Sequence, residues 1–169
     1  MARIHLIEGP VGAGKSTFAA QLSGTYAAPH LALDDWMATL FVPDRPDGDI
    51  MPWYLARKDR CIEQIWKIAV NLMDIGTDAI LELGLIQRAA RQHFYARLDT
   101  AGYAHTVYVL EAPKEVRRAR VHRRNAEKGA TFSMVVPDAI FEMASRMWEP
   151  PDDTECATRD IQFIATEPA

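Results

Sequence analysis

Gly9-Pro10-Val11-Gly12-Ala13-Gly14-Lys15-Ser16-Thr17 is the stretch on which the reading of this chain turns. It follows a short strand candidate, Ile4-His5-Leu6-Ile7-Glu8, and opens a helical run from Ser16 to Leu22, with Gly24 expected beyond its C-terminal end. Its first eight residues match G-x-x-x-x-G-K-[ST] at every fixed position. Gly12 and Gly14 can take backbone angles closed to other residues and leave no side chain between backbone and ligand. Successive N–H groups then converge on phosphate oxygens, and the following helix adds its positive end. Lys15 is expected to reach the β- and γ-phosphates. Ser16 is placed to bind Mg²⁺, and Thr17 to cap the helix or touch the α-phosphate. Gly9 through Thr17 is therefore the expected nucleotide site. A strand before and a helix after separate it from a chance glycine turn.

Outward from this stretch, short apolar runs alternate with helical patterns. His30-Leu31-Ala32-Leu33 reads as a second strand ending at Asp34-Asp35, and the Pro-, Asp- and Gly-rich segment 42–52 as a loop. From Leu55 to Ile75, the residues Ile62, Ile65, Trp66, Ala69 and Leu72 form one helical stripe, which Gly76 ends. Ala79 to Leu83 reads as a third strand, Gln87 to Leu98 as a helix stopping near Gly102, and Thr106 to Leu110 as a fourth strand. Pro113 opens a helix to about Asn125, and a loop from Glu127 to Phe132 follows. Pro137 to Trp148 reads as a helix and Ile161 to Ile164 as a fifth strand. The alternation predicts an α/β three-layer sandwich with about five parallel strands and helices on both faces. It is expected as a single domain over 1–169 with a lid at about 123–136. Ligands in such sheets bind beyond the carboxyl ends of the strands.

The chain has 169 residues, 49% hydrophobic and 25% charged, enough for one sizeable core. With 9 Gly and 10 Pro, low complexity and collagen are excluded. The net charge of −4 argues against wrapping duplex nucleic acid. Cys61 and Cys156 are too few for a disulfide framework and fit no zinc spacing, so a reducing compartment is the simplest reading. No signal core and no apolar run long enough to span a bilayer is visible, and a cytoplasmic location without a membrane partner is expected. The oligomeric state is open.

Phosphoryl transfer to an alcohol needs a group that orients the hydroxyl and accepts its proton. Asp34, first after the second strand, is the favoured base. Asp35 is the alternative, or caps a helix starting at Trp36. Glu82, a lone carboxylate ending an apolar strand, either holds Mg²⁺ through water or binds a substrate group. Arg120 and Arg124, four residues apart, share a helix face and are expected to clamp the transferring group beneath a mobile lid. Arg117, Arg118 and Arg123 read as a solvated basic face. Arg88 and Arg91 are candidates for holding a polar or anionic acceptor, or are solvated. Trp36, Met37, Phe41, Trp53 and Tyr54 either line an acceptor pocket or pack under the long helix.

Together these residues resemble the P-loop kinases that include the kinase domain of polynucleotide kinases, chloramphenicol phosphotransferase and zeta toxins. The similarity rests on Gly9 to Thr17, Leu33-Asp34-Asp35-Trp36, Leu81-Glu82-Leu83-Gly84 with Arg88 and Arg91, and Arg120 through Arg124-Asn125. The tail Trp148-Glu149-Pro150-Pro151 with Glu155 is similar to bacterial ATP-binding, AAA-type small kinases. The resemblance implies ATP with Mg²⁺, a base at Asp34 and lid arginines at Arg120 and Arg124. Relatives often carry Asp where this chain has Glu82, and many have Arg soon after the acidic pair, where Trp36-Met37-Ala38 stands here. The expected activity is transfer of the ATP γ-phosphate to a hydroxyl of a small molecule, with Asp35, Trp36, Arg88 and Arg91 at the substrate. A polynucleotide 5′-hydroxyl kinase and a regulatory ATPase without acceptor remain the alternatives.

Overall fold

The computed structural model describes residues 1–130 and 132–166; within the expected lid, Thr131 lies outside them. Five strands form one parallel sheet in the order β2-β3-β1-β4-β5, with β1 Ile4–Glu8, β2 His30–Ala32, β3 Ala79–Glu82, β4 His105–Glu111 and β5 Ile161–Ala165. The helices are α1 Lys15–Tyr26, α2 Leu33–Leu40, α3 Met51–Asp74, α4 Arg88–Ala101, α5 Lys114–Glu127, α6 Asp138–Met147 and α7 Asp153–Thr158. The expected α/β fold is observed.

β1 is buried throughout and β4 everywhere but its two ends, yet their side chains still alternate between two cores. Ile4, Leu6, Ala79, Leu81, Val107 and Val109 face α2, α3 and α4, meeting Met37, Cys61, Ile65, Ala69, Phe94 and Leu98. Ile7, Ile80, Tyr108 and Leu110 face α1, meeting Ala19 and Leu22. A side chain such as Ile65, fully enclosed, contributes about 1.5–3 kcal/mol by its burial.

Several boundaries differ from expectation. The first helix runs through Gly24 and stops at Ala27 in the left-handed region, φ 50°. The second strand ends at Ala32 and Leu33 already begins α2, so Asp34 and Asp35 lie in its first turn and neither caps it. Starting the helix earlier buries Leu33 and Met37 against the sheet. The long helix begins at Met51, because Pro52 is tolerated in a first turn. A short 3₁₀ turn, Val42–Asp44, interrupts the expected loop. α7 has no apolar period to announce it; a capping box between Asp152 and Glu155 starts it. Among the described residues no helix is long and apolar enough to cross a membrane, and both cysteines are free.

Candidate active site

The chain order places β1 in the middle of the sheet, with β3 on one side and β4 on the other. The crevice beyond their carboxyl ends is where such sheets take ligands. The loop Gly9–Gly14 leaves β1 there. Gly12 has φ 78°, and a Cβ on it would lie 2.6 Å from the Arg117 carbonyl oxygen. Only glycine lets the loop and α5 approach this closely. Gly14, at φ 94°, is the N-cap of α1, so the free N–H groups of that helix point into the loop.

Lys15 donates from Nζ to the carbonyls of Gly9 at 3.0 Å and Pro10 at 2.9 Å. Crowding by protein pushes its pKa down and the charges of Arg124 and Arg117 add to that, while Glu82 and Asp34 pull it up; the balance is below the ordinary lysine value. Ser16 Oγ donates to both oxygens of Glu82, at 3.2 and 3.3 Å. The strand register explains the meeting: Glu82 lies beside Ile7, at the same end of the sheet as the loop. Burial raises the Glu82 pKa, but hydrogen bonds from His30 and Ser16 and the Lys15 charge outweigh it and hold the carboxyl below its usual range.

Asp34 is open to solvent on one side. The protein packed around it nevertheless disfavours its charge, and with Glu82 and Asp35 raises its pKa against the pull of Lys15 and Arg124. Lys15 and Asp34 thus both feel the charges of Glu82 and Arg124. Arg124 Nε is buried and has no hydrogen-bond partner among the described residues. Tyr54 of α3 is affected as well: burial and the Asp34 charge push its hydroxyl up to about 12. Asp35 is exposed, and Trp36 is partly buried against the core under α2 and α3.

Other expected site residues are placed differently. Arg91 is fully buried and belongs to the scaffold, not to an acceptor pocket. It grips Glu155 with two hydrogen bonds of 2.8 and 3.0 Å and donates to the Glu149 carbonyl at 2.7 Å. A buried guanidinium must be matched by acids and carbonyls, and the tail segment 149–155 supplies them. Arg88 is half-exposed and pairs with Asp152 at 2.9 Å, again on the tail. Arg120 lies against the phosphate loop and the residue that follows β5. It donates to the Ala13 carbonyl at 3.3 Å and to Thr166 Oγ1 at 2.9 Å, behind the loop. Arg117, expected in solvent, is buried and donates to the Val11 carbonyl at 3.0 Å, fastening the loop to α5. His30, which the sequence marks only as the start of a strand, has its Nε2 3.0 Å from Glu82 Oε2. No one-dimensional pattern marks Arg117, Thr166 or His30, because each is defined by a partner far along the chain.

Residues 4–151 match the AAA domain family. The chain belongs to that family. No curated protein matches the sequence significantly. Among solved structures, a candidate kinase from Chloroflexus aurantiacus J-10-fl is similar over 97% of this chain and 85% of that one, at 16% identity and a TM-score of 0.73. Kti12 of Chaetomium thermophilum, in complex with ADP-AlF3, is similar over 96% and 88%, at 14% identity and a TM-score of 0.66. A sugar kinase from Janibacter sp. HTCC2649 is similar over 98% and 86%, at 14% identity and a TM-score of 0.62. At these identities the likeness is one of fold. The fold is the one expected from the resemblance to P-loop kinases, for which ATP and Mg²⁺ are the implied cofactors.

The residues present fit both. Ser16 and Glu82 offer hard oxygen donors side by side, and Mg²⁺ in such sites takes one or two protein oxygens, its other positions filled by phosphate and water. The glycine cradle, Lys15 and the unpartnered Arg124 Nε suit a polyphosphate.

Proposed function

We propose that the protein transfers the γ-phosphate of ATP to a hydroxyl of a small molecule. The observation that carries this reading is Asp34: a carboxylate in the first turn of α2, reached by solvent, and within the electrostatic reach of Lys15, Glu82 and Arg124. A protein that only bound nucleotide would need no second acid beside the phosphates, and analysis of the labelled product separates an alcohol acceptor from water. Family and fold support the nucleotide-dependent phosphotransferase; the acceptor class is our inference.

In this mechanism backbone N–H groups of Gly9–Thr17 and the Lys15 ammonium hold the β- and γ-phosphates. Ser16 and Glu82 would hold the magnesium ion, which when bound neutralises charge on the phosphate oxygens. Asp34 orients the acceptor hydroxyl in line with the γ-phosphorus and takes its proton as the new O–P bond forms and the bond to the leaving ADP oxygen breaks. Arg124 stabilises the charge spread over the transferred group. Tyr54, whose hydroxyl feels the Asp34 charge, marks the acceptor side, and the net charge of −4 favours a small molecule over a nucleic acid end.

Asp34→Asn is expected to lower transfer by about 10²–10⁴-fold while ATP affinity is retained. Radiolabelled ATP, Mg²⁺ and a metabolite extract would be incubated with each protein, and calorimetry would follow nucleotide binding. Normal labelling by the variant would remove Asp34 as base. Label appearing on an added 5′-hydroxyl oligonucleotide but on no small molecule would replace the acceptor class.

A further inference from the structure

His30 opens β2 at the sheet edge, outside the phosphate loop and both acidic positions. In the β2–β3 register His30 lies beside Ile80, and Ala32 beside Glu82. Residues two apart in a strand share a face, so His30 and Glu82 are diagonal neighbours on the face that packs against α1, where Ser16 stands. His30 Nε2 is 3.0 Å from Glu82 Oε2. A carboxylate only accepts hydrogen bonds, so the proton of this bond sits on Nε2. Both side chains are largely enclosed, with 20% and 12% exposure.

Glu82 thus stands between competitors. Lys15, the residue before Ser16 at the start of α1, places an opposite charge near the same carboxylate. A closed Glu82–Lys15 pair would withdraw the ammonium from phosphate and the carboxylate from Ser16. The structure shows neither: Lys15 is bonded to the Gly9 and Pro10 carbonyls, and Glu82 is bonded on one side to His30 and on the other to Ser16.

We propose that His30 is a positioning residue for the magnesium ion, pinning the Glu82 carboxylate against Ser16 so that the pair stands ready to receive Mg²⁺·ATP. This deepens the reading of Ser16 and Glu82 as metal-holding residues and rests on it. Groups that orient a metal ligand from behind govern metal affinity more than affinity for the rest of the ligand.

The test separates metal from nucleotide. Calorimetric titration with ATP at stepped Mg²⁺ concentrations would be run on the wild type, His30→Ala and His30→Gln. Electron paramagnetic resonance of Mn²⁺ with a non-hydrolysable ATP analogue would report the metal's surroundings directly. For His30→Ala, the Mg²⁺ concentration giving half-maximal ATP affinity should rise about tenfold, with full affinity recovered at saturating Mg²⁺. The Mn²⁺ spectrum should change in the same variant. His30→Gln, whose amide N–H can still donate to Glu82, should restore most of both. An unchanged Mg²⁺ dependence in His30→Ala overturns the proposal. So does an affinity loss that is equal at every Mg²⁺ concentration, since that is the mark of a merely structural histidine. If the wild type itself takes up no Mg²⁺·ATP, the underlying reading of the site fails with it, and that result is recognisable before any variant is made.

Discussion

Glu8 occupies the last position of β1, one residue before the phosphate loop, and is buried. Tyr95 donates to its Oε1 at 3.1 Å, while Oε2 has no hydrogen-bond partner among the described residues and lies 3.7 Å from Arg91 Nε. That distance suggests an ion pair, but Arg91 is already committed to Glu155, and burial wins: the Glu8 carboxyl is pushed up to about 8. Unfolded, the same group loses its proton near 4.5. Between these values the native state holds a proton that the unfolded chain does not, so this group's contribution to stability falls as pH rises through the window, and the loss is complete above it. Glu8→Gln keeps the Tyr95 bond and removes the titration. Thermal denaturation between about pH 5 and 9 should show the wild type losing more stability with rising pH than the variant. Parallel curves would mean that Glu8 is ionised in the fold.

Between elements, two fastenings hold the loop and the tail. Arg91 on α4 reaches Glu155 on α7, and both side chains are fully enclosed. Glu155→Gln would leave a buried guanidinium short of a counter-charge, costing about 3 kcal/mol. Ionisation of Glu8 would recover part of this above about pH 8, so urea denaturation should show a larger loss near neutral pH than in alkali. The half-exposed Arg97–Glu63 pair joins α4 to α3, and its removal should cost about 1 kcal/mol or less. Equal losses for the two pairs would refute the assignment. The other fastening is the contact of Gly12 with α5. Gly12→Ala places a Cβ against the Arg117 carbonyl in a backbone conformation that alanine resists. ATP binding by calorimetry should be lost in a protein that still folds; retained affinity would show that the loop can shift without cost.

Across the whole molecule, the site joins β1, β2, β3, α1, α2 and α5, so ligand binding should be felt as global stability. ATP at about a hundred times its dissociation constant should stabilise the protein by about 2.7 kcal/mol, read as a raised Tm. Removing Mg²⁺ with a chelator should shrink that shift. The order β2-β3-β1-β4-β5 underlies this coupling. It sets β3 beside β1, so Ser16 and Glu82 meet although 66 residues separate them.

Strand, loop and helix around Gly9–Thr17 were legible from sequence alone, because a phosphate nest is made by consecutive backbone groups and needs glycine at fixed spacing. The alternation of short apolar runs with helical stripes likewise carried the α/β class, since period and burial are local properties of a strand or helix. Which charged side chain faces the ligand was not legible in this way. Arg91, Arg117, Arg120 and Arg124 are alike as letters. Tertiary packing decided that Arg91 meets Glu155, that Arg117 and Arg120 hold loop carbonyls, and that Arg124 remains beside Lys15 and Asp34. It likewise set His30 against Glu82. A guanidinium or imidazole takes its role from whichever carboxylate or carbonyl the neighbouring element brings within hydrogen-bond reach, and that neighbour is fixed by strand order and packing, not by anything nearby in the chain.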